Sequence, residues 1–181
     1  LLKQRLIEIM LRNDELIEDL TLVRDLNLPN SWIAAGYVRN YCWDSLHEYH
    51  RQSLLEDVDI IYYDQSDLTF DKEIEYEEQL KLKKSTHNWS IKNQARMHIT
   101  NNTKPYVDIE DAMRHWPETA TAVGIRMNWE NDIQVIAPLG LEDLFDLKIR
   151  KSTHFQDVDY FHNRINSKNW LHKWPKLRIV E

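Results

Sequence analysis

Helical spacing of apolar residues marks out the first elements: Leu2, Leu6 and Ile9 in residues 2–12, then Leu16, Leu20 and Val23 in residues 14–26, with Asn13 suited to cap the second segment. Two N-terminal helices within residues 1–26 are expected. The stretch NLPNS at 27–31 breaks the period, and the run from Trp32 to Ala35 reads as a short strand. After Gly36, the positions Val38, Tyr41, Cys42, Leu46 and Tyr49 return to helical spacing, so the chain predicts strand, glycine turn, helix. The segment EDVDIIYYD at 56–64 is β-rich, and alternation across a strand sends Asp57 and Asp59 to one face and Val58 and Ile60 to the other.

Downstream, the pattern predicts a charged surface helix over 71–84 and a strand from 89 running into a loop or helix by 98. A helix starts at Asp108 and stops at Pro117, and PETATAVGIRMN then reads as a helix or strand. A strand over 131–136, a turn and short helix in LGLEDLFDLKIR, and a last helix over 157–170 before the KWPKL tail complete the chain. No repeat or linker interrupts it, so one α+β domain over 1–181 is expected, its segment 155–181 forming a C-terminal helix and tail. The sheet should be small, mixed and strongly twisted, with helices packed on one face and at the N-terminus.

Composition narrows the setting. No apolar run approaches the roughly 18 residues of a membrane span, and the residues given begin with no charged-then-apolar leader, so a cytoplasmic protein without membrane contact is expected. The single cysteine, Cys42, agrees, since it has no disulfide or CxxC partner. A net charge of −7 argues against coating long nucleic acid. The charge is uneven, however: Glu73, Glu75, Glu77 and Glu78 are acidic, whereas Arg164, Lys168 and Lys173 belong to a basic C-terminal stretch, which reads as a solvated face or a docking surface.

The candidate chemistry lies at the glycine turn and the aspartate strand. Glycine admits positive φ or close approach of a ligand, and the following helix start presents N–H groups suited to phosphate. Two carboxylates on one face repel one another unless a proton or cation intervenes, and a divalent cation with oxygen ligands, Mg²⁺ first, meets that need. The 8 histidines contain no HExxH pattern. Arg96 and His98 would line a pocket if their segment borders it. Trp43, Trp89, Trp116 and Trp129 serve core packing or base stacking.

In that order, AAGYVRNYCWDSL followed by EDVDIIYYD resembles the nucleotidyltransferase superfamily of the DNA polymerase β type, and distantly the GGxVRD and DxD pattern of CCA-adding enzymes and bacterial poly(A) polymerases. With IKNQARMH, WPETATAVGIR and APLGLEDLFDLKIR, the chain is similar over residues 15–178 to a bacterial nucleotidyltransferase-like family. The resemblance implies that Gly36, Arg39 and Asn40 hold an NTP and that Asp57 and Asp59 bind Mg²⁺ (or Mn²⁺) and act in catalysis. It implies transfer of a nucleoside monophosphate to an acceptor that is a small molecule, RNA or protein. A looser likeness brings Arg126 to the nucleotide.

Three departures stand out. Ala35 replaces the first glycine, and Asn40 replaces an aspartate. A third carboxylate is missing from the strand at 89–95, which offers Asn93 and Gln94, so Asp132 or Asp108 would have to supply it. The alternative is a nucleotide-binding or regulatory module that kept the fold and lost catalysis. Without the long C-terminal helical region of CCA-adding enzymes, tRNA 3′-end synthesis is not expected.

Overall fold

The computed structural model describes residues 1–181. Its first elements are α1 (Leu2–Met10), α2 (Leu16–Asp25), β1 (Trp32–Ala34), α3 (Gly36–Leu46) and β2 (Val58–Tyr62). Then come α4 (Phe70–Lys83), β3 (Trp89–Asn93), α5 (Gln94–Asn101), α6 (Ile109–Arg114), a 3-10 turn (Thr119–Thr121), β4 (Gly124–Met127) and β5 (Ile133–Ile136). The last are α7 (Glu142–Phe145), β6 (Lys148–Arg150), α8 (Val158–Ser167), α9 (Trp170–Lys173) and β7 (Arg178–Val180). No helix is long and apolar enough to cross a membrane.

A mixed five-stranded sheet runs in the order β3-β2-β1-β4-β5. Only the β2–β3 pair is parallel; β1 is antiparallel to both its neighbours, and so is β4. The registers Ile33↔Ile60, Ile33↔Ile125 and Ile60↔Ile91 line these isoleucines up on one face. There they join Leu6, Met10, Leu16, Leu20, Val38 and Trp43 from α1, α2 and α3 in a buried core, so alternation along each strand becomes one thick apolar layer. Each such side chain, fully removed from water, contributes about 1.5–3 kcal/mol.

The opposite face carries Ala34, Asp59 and Ile61 at the intervening positions. Only a small cluster covers it, where Ile109 and Met113 of α6 pack on Trp32, Ala34, Ile61 and Ile136. The helices are therefore unequally shared, and the thinly covered face is where polar chemistry has room.

Element boundaries differ from the pattern in instructive ways. The predicted strand at 56–64 is β2 over 58–62, so Asp57 precedes the ladder. Asn13 accepts from the Glu15 N–H at 3.1 Å, just ahead of the helix, and donates to the Tyr37 hydroxyl at 3.3 Å. The segments expected as a helix-turn and a tail contain β6 and β7, which pair in parallel, Ile149 opposite Ile179. Their ladder is long-range, and no local period announces three-residue strands.

Candidate functional site

The turn between β1 and α3 concentrates backbone strain at Ala35, with φ 53° and ψ −121°, a conformation that L side chains rarely adopt. It is held by its own N–H on Val123 O at 2.9 Å, while its carbonyl accepts the Arg39 N–H at 2.9 Å. Gly36 has no positive φ; a Cβ there would sit 3.7 Å from Arg39 Nη2 and 3.8 Å from Asn40 Nδ2. Gly36 thus keeps the helix start bare, and Ala35 bears the conformational demand expected of the glycine.

Asp59 lies opposite Ala34 in the β1–β2 ladder, and Ala34 lies opposite Gly124 in the next, so two small residues flank the carboxylate across the sheet. Both Asp57 and Asp59 are half-buried and line the same two cavities. Burial first, and the Asp57 charge second, push the Asp59 carboxyl up to about 6, against the pull of Arg39, Arg164 and Lys168. A carboxylate pair so placed is short of positive charge, and its hard oxygen donors fit a divalent cation of the Mg²⁺ type.

Beyond the pair, β3 does not supply a third acid. Ser90 stands opposite Asp59 and Lys92 opposite Ile61, so the positions of β3 in register with the open face bear a hydroxyl and an ammonium. Asn93 is fully buried and spent on structure, accepting from the Asp64 and Ala95 N–H groups and donating to the Asp64 and Asp67 carbonyls. Asp132 is exposed in the β4–β5 turn, and Asp108 caps α6 by accepting from the Asp111 N–H at 2.7 Å. Neither lines the cavities that hold Asp57 and Asp59.

Arg39 is only 5% exposed. Its Nη1 donates to Thr121 Oγ1 at 2.7 Å, and Nε and Nη2 donate to Asn40 Oδ1 at 3.2 and 2.9 Å. The guanidinium lies 4.4 Å from the Trp170 ring centroid, and burial lowers its pKa to about 10. Thr121 passes the connection on to buried Glu118 at 2.8 Å, whose other oxygen accepts from Arg164 Nε at 2.8 Å. Arg164 in turn lies 5.5 Å from the same Trp170 ring. One tryptophan and one carboxylate therefore organise two guanidinium groups.

These residues face a narrow crevice of about 60 Å³ lined by Gly36, Arg39, Asn40, Arg164, Lys168 and Lys173, together with Glu56, Asp57 and Asp59. The C-terminal cations, whose run in the sequence reads first as a solvated face and second as a docking surface, are thus brought to the glycine turn. Nothing local marks them for that role, because α8 and α9 meet α3 only through tertiary packing. A cleft of about 710 Å³ adjoins the crevice at the aspartates, sharing Ala35, Asp57, Asp59, Arg164 and Lys168 with it. Gln94 and Trp116 reach this cleft, joined by a 3.4 Å contact from Trp116 Nε1 to Gln94 Oε1.

Other expected site residues are not gathered here. Arg126 stacks 4.2 Å over Trp32 and donates to Gln134 and Asn30, lining a separate cavity near the end of α2. Arg96 is spent on fully buried Glu73, at 2.8–3.1 Å, and the His98 Nδ1–H donates to Ala95 O at 2.9 Å; neither lines the cleft. Trp43 and Trp89 are buried, and Trp129 is exposed. Cys42 is buried with its thiol pushed up to about 12, which leaves no thiolate for chemistry near neutral pH.

A second group of possible ligands, Glu15, Asp19 and His87, lies against α2. Lys84 already occupies it: its ammonium contacts Asp19 at 2.6 Å, Glu18 at 2.9 Å and Glu15 at 3.0 Å, and Tyr37 donates to Asp19 at 2.6 Å. The positive charge such a group needs is supplied from within the chain.

A protein-family model described as "Nucleotidyltransferase" matches residues 21–179. An NMR structure described as revealing a CCA-adding enzyme head domain superimposes with a TM-score of 0.86, at 33% identity over 99% of this chain and 96% of that one. A CCA-adding enzyme in complex with CTP gives a TM-score of 0.64 at 15% identity, covering 97% of this chain and 43% of that enzyme. The Thermotoga maritima CCA-adding enzyme complexed with tRNA gives 0.55 at 16% identity, covering 90% and 37%. These last two likenesses are of fold. A search of curated proteins returns no match.

Proposed function

From the premise that this chain belongs to the nucleotidyltransferase family, we propose that it transfers a nucleoside monophosphate from an NTP to an acceptor hydroxyl, with Asp57 and Asp59 as ligands of Mg²⁺ or Mn²⁺. The observation that carries this reading is the position of the two carboxylates where a basic crevice adjoins a large open cleft. The crevice suits the triphosphate, with the bare helix start at Gly36, the fixed guanidinium groups of Arg39 and Arg164, and Lys168 and Lys173 at its rim. Asn40 fixes Arg39 by accepting two of its N–H groups. When bound, a divalent cation neutralises phosphoryl charge and orients an in-line displacement that releases pyrophosphate. The protein side chains hold the phosphates, align them across the aspartates, and keep their own geometry through Trp170, Thr121 and Glu118. We take residues 1–181 as one domain serving this reaction, in an enzyme of the cytoplasm.

Calorimetric titration with each of the four NTPs, with and without Mg²⁺, tests the assignment. Metal-dependent binding is expected for the wild type and its loss for Asp57→Ala and for Asp59→Ala, both folded by circular dichroism. Equal binding by wild type and variants would remove the aspartates from the role given them.

A further inference from the structure

The two cavities that meet at Asp57 and Asp59 differ in size and chemistry, and in-line displacement assigns them different occupants. The attacking oxygen must stand opposite the leaving pyrophosphate. If pyrophosphate leaves into the basic crevice beside Gly36, the acceptor enters from the large cleft. This step rests on the nucleotidyltransferase reading above.

The chemistry of the large cleft then restricts the acceptor. Beyond the shared boundary it has one cation of its own, Lys92, which pairs with Glu77 at 3.4 Å and Glu73 at 3.8 Å, and it also contains Asp157. The shared cations, Arg164 and Lys168, are the ones given to the triphosphate, and they also contact Glu118 at 2.8 Å and Glu56 respectively, so neither is left over for an acceptor strand. A polynucleotide needs a track of cations free to neutralise successive phosphates, and this lobe has none.

It offers rings and hydrogen-bonding groups instead. The Tyr106 and His115 rings lie 5.1 Å apart and those of His115 and His154 5.3 Å apart, with Trp116 and Tyr160 in the same wall. His115 Nδ1 donates to Asp111 O at 2.8 Å, because a carbonyl only accepts, and a ligand hydroxyl, able both to donate and to accept, can pair with Nε2.

We propose that this lobe binds the acceptor and that the acceptor is a small, hydroxyl-bearing ring compound of neutral or positive charge, not the 3′ end of a polynucleotide. Its hydroxyl oxygen forms the new bond to the α-phosphorus. The bond from that phosphorus to the bridging oxygen breaks, its electron pair leaves with pyrophosphate, and the hydroxyl proton passes to solvent in the open cleft.

The test follows the imidazole NMR signals of His115 and His154, assigned with His115→Gln and His154→Gln, in the full chain. Adenosine is the neutral ring probe and a short single-stranded RNA the polyanionic one, each added to free protein and to protein carrying Mg²⁺ and α,β-methylene-CTP. Adenosine should shift both signals saturably in both states, with affinity lowered about fivefold by Trp116→Ala, while RNA leaves them in place. Tighter response to RNA, or response to neither probe, overturns the proposal. Calorimetry with the CTP analogue reports separately on the nucleotide site: if it fails to bind, the parent reading falls while the free-protein adenosine arm still decides the ligand class of the lobe.

Discussion

At the scale of single residues, Ala35 and Asp59 carry costs that the rest of the fold sustains. Ala35 holds φ 53° and ψ −121° where a glycine would be unstrained. Relief of that strain outweighs the added freedom of the unfolded chain, so Ala35→Gly should stabilise by about 1 kcal/mol. Denaturant midpoints at unchanged slope measure this, and a loss of stability would contradict the strain. Asp59 gives a pH signature. Its folded carboxyl is raised from 3.8 to about 6, so the folded chain holds the proton more tightly than the unfolded one. The destabilisation is absent well below pH 3.8, grows as pH rises toward 6, and is complete above it. In metal-free protein Asp59→Asn should therefore stabilise by at most about 3 kcal/mol at pH 7.5, shrinking to about 1 kcal/mol at pH 4.5. Melts at the two pH values in a chelator test this, and an equal gain at both would remove the titration as its source.

At the scale of elements, the crevice depends on α9 meeting α3. Trp170 is 2% exposed, and its ring contacts Trp43 edge-on at 5.6 Å while lying beneath Arg39. Trp174 adds a second edge contact to Trp43 at 5.2 Å and donates its indole N–H to Asp44 at 2.7 Å. Trp170→Ala should cost about 3–5 kcal/mol and leave Arg39 without its platform, weakening NTP binding in whatever fraction remains folded. Equilibrium unfolding checks the first effect and calorimetry below the transition the second. Trp170→Phe keeps a ring under the guanidinium and should recover most of the binding, which separates loss of the platform from general damage.

For the whole molecule, one polar network ties the N-terminal helices to α4 and the edge strand β3. Asp19 of α2 is completely buried and meets Lys84 from the end of α4, His87 from the turn before β3, and Tyr37 of α3. Lys84→Met removes the ammonium from a buried carboxylate and should cost about 3 kcal/mol, read by chemical denaturation; a change below about 0.5 kcal/mol would mean that the network is not coupled to folding. Much of the architecture was legible without coordinates. Amphipathic spacing predicted α1, α2 and the helix after Gly36, and alternation assigned Asp57 and Asp59 to one face, because both signals repeat within a few residues. Those local periods and residue types determined the element order, the strand-turn-helix and the carboxylate pair. Only the tertiary structure decided that β6 pairs with β7, that Arg39 is clamped between Trp170 and Thr121, that Arg164, Lys168 and Lys173 join the crevice, and that Arg126, Asp108 and Asp132 stay apart from it. Those outcomes depend on contacts between residues distant in the chain, whose energies come from burial and charge pairing that a local pattern does not encode.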